Sequence, residues 1–386
     1  MAACDARELR KFVSPEIVFG EGAIDLTGQY ASGYSACKVL LVTDPGVRAA
    51  GWAGAAEKSL KEAGIAYAVF EGVTPNPKDH EAMAGAEVYR SEKCDVIVVV
   101  GGGSPMDCAK AIGIVVTNNR HVLAFEGLDE VVVPGPPLLC IPTTAGSAAD
   151  VSQFAVITDT ARKVKIAIIS KTMVPDVALI DPSTTLTMSA QLTAATGVDA
   201  LVHALEAYVS NASSPLTDLN ALEAIRLINR CLPAAVHEPK NIASRNGMMM
   251  GSLLAGLAFS NASLGLVHSM AHALGGRLDM AHGDCNAILL EHVVLFNFAA
   301  AAERYRAAGR AMGLDLEGLP TDGARLADAL SQFRRGVGIH QTLGQMGVRP
   351  GDIPAMAHDA FNDPCLATNP TQPTLRDIEV LYEQAL

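Results

Sequence analysis

The sequence predicts an α/β chain in two parts: an N-terminal domain over residues 1–185, built on a parallel sheet flanked by helices, and an all-helical domain over 186–386. Three observations carry this. Across the first half, short apolar runs bounded by turn residues alternate with stretches of helical pattern, as expected for strands buried on both faces of a helix-covered parallel sheet. Near Asp181-Pro182 the texture changes, and from Ser189 onward the pattern is helical and rich in Ala, Leu and Met. The length of 386 residues suits two domains at roughly 150 residues each.

Lys38–Val42 is the first apolar run and closes at Thr43-Asp44-Pro45-Gly46. Ile65–Phe70 is the second, and Val96–Val100 the third, ending abruptly in Gly101-Gly102-Gly103. Leu138–Ile141 is the fourth and ends in Pro142-Thr143-Thr144. Between them, Ala53–Ala63, Asp79–Ser91 and Cys108–Val115 carry the helical pattern. Ser104 is expected to cap the last of these, with Pro105 in its first turn. In the second half, Pro233, Gly275-Gly276 and Pro350-Gly351 read as punctuation between helices. Met248-Met249-Met250 reads as gap-filling core.

Hydrophobic residues make up 49% of the chain and charged residues 18%, below the usual charged share of about 25%. That excludes a disordered or fibrous chain and points to surface covered by a second copy, hence a homodimer or larger. The net charge of −12 leaves no electrostatic footprint for nucleic acid or an anionic membrane. No uninterrupted apolar run reaches about 18 residues. The eight cysteines, at 4, 37, 94, 108, 140, 231, 285 and 365, form no Cys-x-x-Cys pair, and read as free thiols in a reducing compartment. The first residues lack the apolar core of a secretory signal, so a cytoplasmic location is expected.

Gly101-Gly102-Gly103-Ser104-Pro105-Met106-Asp107 joins a strand to a helix. Glycines there let backbone N–H groups approach a diphosphate, whose charge the helix dipole favours. The spacing is neither Gly-x-Gly-x-x-Gly nor a P-loop, and a turn that merely needs unusual backbone angles would look the same. Asp44, at the end of the first strand, can accept hydrogen bonds from a ribose diol and repel a 2′-phosphate, or it can be an ordinary turn residue. The more specific signal is Asp199-x-x-x-His203, His268-x-x-x-His272 and His282-Gly283. Residues at i and i+4 share a helix face about 6 Å apart, so each pair can aim two donors at one point. Imidazole with carboxylate suits Fe(II), Zn or Mn alike, and spacing alone leaves open whether His268 or His272 is a ligand. His80, His121, His237, His292, His340 and His358 have no such company.

Gly102-Gly103-Ser104-Pro105-x-Asp107, Pro142-Thr143-Thr144-Ala145-Gly146 and Asn261-x-x-x-Gly265-x-x-His268-x-Met270-Ala271-His272-x-Leu274-Gly275 resemble the iron-containing (group III) alcohol dehydrogenases, from about residue 12 to 380. Within that family the chain is most similar to a subgroup associated with bacterial ethanol oxidation, some members of which have been linked to regulation. The resemblance implies the fold shared with dehydroquinate synthase, a dinucleotide-binding α/β domain followed by a helical metal-binding domain. It implies metal ligands at Asp199, His203, His268 and His282, so that His268 is the ligand and His272 a proton relay near the nicotinamide. It further implies cofactor contacts from Asp44, Asn76, Gly102, Gly103, Ser104, Asp107, Thr143, Thr144, Ser147 and Lys165, with NAD favoured by Asp44, and Phe259 in the substrate channel. Fe2+ is the expected ion, with Zn2+ and Mn2+ as alternatives.

Two departures stand out. Many members read Thr-Gly-Ser-Glu after the Ala-Gly, where this chain has Ser147-Ala148-Ala149-Asp150. Members that prefer 1,2-diols have Asn where this chain has Phe154, which removes a hydrogen-bond partner for a second hydroxyl. The expected reaction is therefore hydride transfer between primary alkanols or their aldehydes and NAD(H), with the metal acting on the oxygen. The competing expectations are a diol or polyol dehydrogenase of the same family, a metal-free reductase of the maleylacetate type, and a sensor that binds NAD(H) or alcohol with little turnover.

Overall fold

The computed structural model describes residues 11–386, which form two compact units, Val13–Met188 and Ser189–Leu386 together with residues 11–12. The division thus falls three residues after the expected one at 185/186. Cys4 and the N-terminal stretch read for a signal lie outside the described residues.

The first unit contains β1 (Glu16–Phe19), α1 (Thr27–Gly33), β2 (Lys38–Val42), α2 (Pro45–Ala49), α3 (Trp52–Glu62), β3 (Ala66–Phe70), α4 (Asp79–Ser91), β4 (Val96–Gly101) and α5 (Gly103–Asn118). It continues through β5 (Gly127–Leu128), β6 (Leu138–Pro142), β7 (Phe154–Asp159), β8 (Val164–Ile169) and β9 (Val177–Ile180). Six strands make one parallel sheet in the order β1-β9-β6-β4-β2-β3. The continuous apolar runs have a simple cause. Leu40, Val42, Ile97 and Val99 pack into one buried layer with α4 and α5, while Val39, Leu41, Val96, Val98 and Val100 pack into the opposite layer with α3. Both faces of the central strands β2 and β4 are therefore buried.

Chain order reverses between β2 and β4, since β3 lies outside β2 and β6 lies beyond β4. Such a switch point opens a crevice at the carboxyl ends of the strands. A second sheet, β5-β8-β7, was not foreseen; β7 and β8 form an antiparallel hairpin. Its turn is tied by Asp159, which accepts from the backbone N–H of Ala161 and Arg162.

The second unit is helical: α6 (Ala190–Val209), α7 (Pro215–His237), α8 (Ile242–Ala262), α9 (Leu266–Leu278), α10 (His282–Asn297), α11 (Ala302–Ala311), α12 (Asp322–Gly336), α13 (Ile353–Phe361) and α14 (Leu375–Ala385). Three expectations need correction. Pro233 lies inside α7 and Gly275-Gly276 inside α9, so neither ends a helix. Ser104 is not the cap of α5; Gly102 takes that place and the helix starts at Gly103. Met248 and Met249 are buried, as core filling requires. Among the described residues one helical stretch, His282–Ala311, is long and apolar enough to cross a membrane, but 56% of its apolar window is buried within the protein, as in a core helix. The seven described cysteines are all free.

Candidate active site

Helix α6 is buried along nearly its whole length, and its inner face presents Asp199, His203 and Glu206. Ser189 caps it by accepting from the Leu192 N–H. Helices α8 and α9 meet at a 98° bend, where Ser263 adopts a left-handed φ of 61°. The bend points the first turn of α9, with His268, at α6. His282 opens α10, and Gly283 lets that helix approach: a Cβ there would lie 2.6 Å from the Ala195 carbonyl oxygen of α6.

The result is a convergence of donors. Asp199 Oδ1 lies 3.7 Å from His268 Nε2, 3.8 Å from His282 Nε2 and 3.9 Å from His203 Nε2. The ligand atoms of Asp199, His268 and His282 all fall within 4.8 Å of one another. Ligands about 2.1 Å from one ion in a tetrahedral shell stand about 3.4 Å apart, so the donor set fits a divalent cation after a small contraction. Asn286, one turn along α10, sets its Nδ2 at 2.6 Å from Asp199 Oδ1 and 3.2 Å from both His268 Nε2 and His282 Nε2. Three acceptor atoms thus aim at one point. Phe259 stacks on His203 at 4.4 Å, and His203 on His268 at 4.6 Å. The His268 side chain is 1% exposed and that of His282 28%, so the cluster opens on the His282 side.

Burial sets the electrostatics. It holds His268 well below its ordinary value, helped by His203. It pushes Glu206 up to about 7, against the pull of the Val267 and Gly265 N–H groups. Glu206 accepts from Val267 N (2.7 Å), Gly265 N (3.0 Å) and His268 Nδ1 (2.6 Å).

One turn beyond His268, His272 donates through Nδ1 to Asp363 at 2.8 Å. Its ring centroid lies 5.4 Å from that of His282. Burial alone would raise the Asp363 carboxyl, but His272 and the Cys365 N–H outweigh it and hold it below the usual range. Cys365, in the same cluster, is pushed well above a normal thiol by burial and by Asp363.

The ten expected cofactor residues all lie in the first unit, nine of them in or beside the segments that follow β2, β3, β4 and β6 and the tenth, Lys165, near the start of β8. Gly102 and Gly103 open α5 against the loop after β6: a Cβ on Gly102 would meet the Thr144 side chain at 3.1 Å, and one on Gly103 would meet Ser147 at 3.0 Å. Thr143 joins them by donating its N–H to the Gly101 carbonyl. Ser104 sits in the first turn of α5, and Asp107, in the second, accepts from the Val156 N–H (3.1 Å). Asp44 caps α2 by accepting from Val47 N (2.9 Å), at the end of the strand beside β4. Asn76 has a left-handed φ of 52° and accepts from Thr158; Lys165 stands opposite Thr158 on β8. Phe154, at the start of β7, is buried, and its carbonyl accepts from the Lys110 ammonium.

Glu206, Asn286 and Asp363 were not anticipated. Glu206 and Asn286 carried a usable signal, since each follows a candidate ligand by three or four residues on one helix face. Asp363 carried none, because the fold brings it to His272 from 91 positions away.

Comparison with known proteins bears on both units. Residues 14–182 match the family model described as iron-containing alcohol dehydrogenase, and residues 193–386 match the C-terminal model of the Fe-containing alcohol dehydrogenase family. The chain is 45% identical to the 1,3-propanediol dehydrogenase of Citrobacter freundii, covering 95% of this chain and 96% of that protein. It is 39% identical to the NAD-dependent methanol dehydrogenase of Bacillus methanolicus, covering 97% and 99%. A crystal structure of a 1,3-propanediol oxidoreductase superposes with a TM-score of 0.95 at 42% identity, covering 98% of this chain and 100% of that one.

Proposed function

The chain belongs to the iron-containing alcohol dehydrogenase family, and from that premise we propose that it interconverts primary alcohols and aldehydes with NAD(H) at an Fe2+ centre held by Asp199, His203, His268 and His282. The observation that carries this reading is the approach of three imidazole nitrogens to Asp199 Oδ1 within 3.7–3.9 Å. The relatives named for 1,3-propanediol and methanol act by those names on compounds with a primary hydroxyl, which supports the substrate class. When bound, the ion supplies Lewis acidity toward the substrate oxygen, and the nicotinamide the hydride acceptor.

The chain's own residues do the rest. Gly102, Gly103 and the N-terminus of α5 bind the diphosphate through backbone N–H groups; Ser104, Asp107, Thr143, Thr144, Ser147, Asn76 and Lys165 complete the cofactor surface. Asp44 takes the ribose diol. Phe259, stacked on His203, gives the substrate an apolar wall, and Phe154 replaces the amide that a second hydroxyl would need. His272 moves the proton: with Nδ1–H fixed on Asp363, its Nε2 is left as the acceptor. The low charged fraction and the free state of the seven described cysteines support a homo-oligomer in a reducing, cytoplasmic compartment.

The test is anaerobic turnover of C2 to C8 alcohols and aldehydes with NAD(H), on protein stripped of metal and reloaded with Fe2+, Zn2+ or Mn2+. The expected result is metal-dependent activity, highest with Fe2+ and with propan-1-ol favoured over propane-1,2-diol. His268→Ala should lose metal and turnover together. Turnover in metal-free His268→Ala, or NADH binding without turnover under any ion, would overturn the reading.

A further inference from the structure

We propose that Glu206 is the positioning residue of the metal centre, fixing both the ring tautomer and the location of His268. The proposal rests on the reading of Asp199, His203, His268 and His282 as ligands. Glu206 is buried and sits on α6 one turn past His203. Its two carboxylate oxygens accept three N–H groups from one stretch of chain: Gly265 and Val267 in the backbone and His268 Nδ1 in the ring.

Each bond has a separate effect. The backbone pair ties down the bend between α8 and α9, where the first N–H groups of a helix lack partners within it. The ring bond puts the imidazole proton on Nδ1, so Nε2 keeps its lone pair on the side facing Asp199. Asn286 Nδ2 at 3.2 Å from that Nε2 fits the same tautomer, because it has a proton to give. A carboxylate behind a ligating imidazole orients the ring and raises its basicity, and losing such a partner costs about 10–100-fold in metal affinity.

The clamp also explains Gly265, since a Cβ there would lie 3.0 Å from Glu206 Oε1 and 2.9 Å from Asn369 Oδ1. Asn369 holds the neighbouring Leu266 N–H at 3.1 Å without touching the ring. Losing it loosens the same turn and leaves the tautomer alone. The two side chains therefore separate a role in folding from a role in setting the ligand.

In Glu206→Gln one oxygen becomes an NH2 group. Val267 donates to Oε1, whereas Gly265 and His268 share Oε2. With the amide oxygen kept on Val267, the shorter backbone bond, the NH2 takes the Oε2 place and drives the imidazole to the Nε2–H form, which points a proton where the ion must sit. The experiment measures Zn2+ affinity by chelator competition on wild type, Glu206→Gln, Asn369→Ala and His268→Ala. It also records 15N spectra of metal-free, histidine-labelled wild type and Glu206→Gln, with His268 assigned by its loss in His268→Ala. The expected result is Nδ1–H at His268 in wild type, a shift toward Nε2–H in Glu206→Gln with Zn2+ binding about 10–100-fold weaker, and near-wild-type affinity in Asn369→Ala.

An Nε2–H tautomer in wild type would overturn the proposal, even if Glu206→Gln failed to fold. So would wild-type affinity in folded Glu206→Gln, or an equal loss in Asn369→Ala. Zn2+ binding by His268→Ala as tight as wild type would instead overturn the ligand reading itself.

Discussion

Asp150, in the loop after β6, is buried, and burial pushes its carboxyl up to about 6, more than its own N–H and Lys110 offset. Its unfolded value lies near 3.8, so between the two the folded protein holds a proton that the unfolded chain has released. Stability therefore falls as pH rises through that window, by about 3 kcal/mol for about two units at 1.36 kcal/mol each. Asp150→Asn should remove this slope: relative to wild type it should gain stability between pH 4 and pH 7, read as urea midpoints. An unchanged difference at the two pH values would sink the assignment. The shortened acid that sets this chain apart from many relatives is thus a neutral group at the lower end of the range. Asp363→Asn tests the acid that holds His272. Asparagine can present an NH2 to His272 and hold the wrong tautomer, so kcat should drop about 10²-fold or more with KM and metal content little changed; a loss confined to KM would argue against a relay. The donors around Asp199 were legible because two residues four apart, about one helix turn, is a spacing with geometric meaning. Asp363 was invisible because nothing local announces a contact across 91 positions.

At the level of elements, close approach decides what the sequence hides. Gly283 reads as a turn residue beside His282, yet it lies inside α10 and is there for packing, since any Cβ would strike the backbone of α6 at 2.6 Å. Gly283→Ala should cost about 1–3 kcal/mol by overpacking, exceeding the up to about 1 kcal/mol that alanine gains in a helix. It should also weaken Zn2+ binding, because α6 and α10 carry Asp199 and His282. An equal or higher Tm would show that the helices yield freely. Four of the six parallel strands, β2, β3, β4 and β6, were legible from their unbroken apolar runs, whereas β1 and β9, each only four residues long, were not picked out. Nor was the β7–β8 hairpin, since its apolar content merges with the neighbouring loops. Gly275-Gly276 and Pro233 misled for a related reason: local turn chemistry is weaker than the burial that holds α9 and α7 together. Tyr382 of α14 illustrates that hold, donating to the Met270 carbonyl of α9 at 2.7 Å.

Over the whole molecule, the proposed cofactor residues and the metal donors belong to different compact units. Chelation should therefore abolish turnover while leaving NADH binding, followed by fluorescence, near its original affinity; loss of both together would mean that the sites are not separable. The proposed ion, shared by α6, α9 and α10, would stabilise only the folded form, by about 4 kcal/mol at a thousandfold excess over Kd. Removing it should lower one calorimetric transition and leave the other in place. The order in which the parts are made has its own consequence. The unit Val13–Met188 is one unbroken stretch, complete before any donor is synthesised. Asp199 to His282 follow, but Asp363, Asn369 and Tyr382, which brace α9, come later, Tyr382 a full 100 residues after His282. At about 5–20 residues per second of translation, the nascent chain displays its ligands for about 5–20 s before the braces arrive. Loose imidazole and carboxylate side chains rank ions by intrinsic affinity, with Fe2+ near the weak end of the series. Selectivity beyond that ranking has to await the contacts that fix α9, which are among the last to be synthesised.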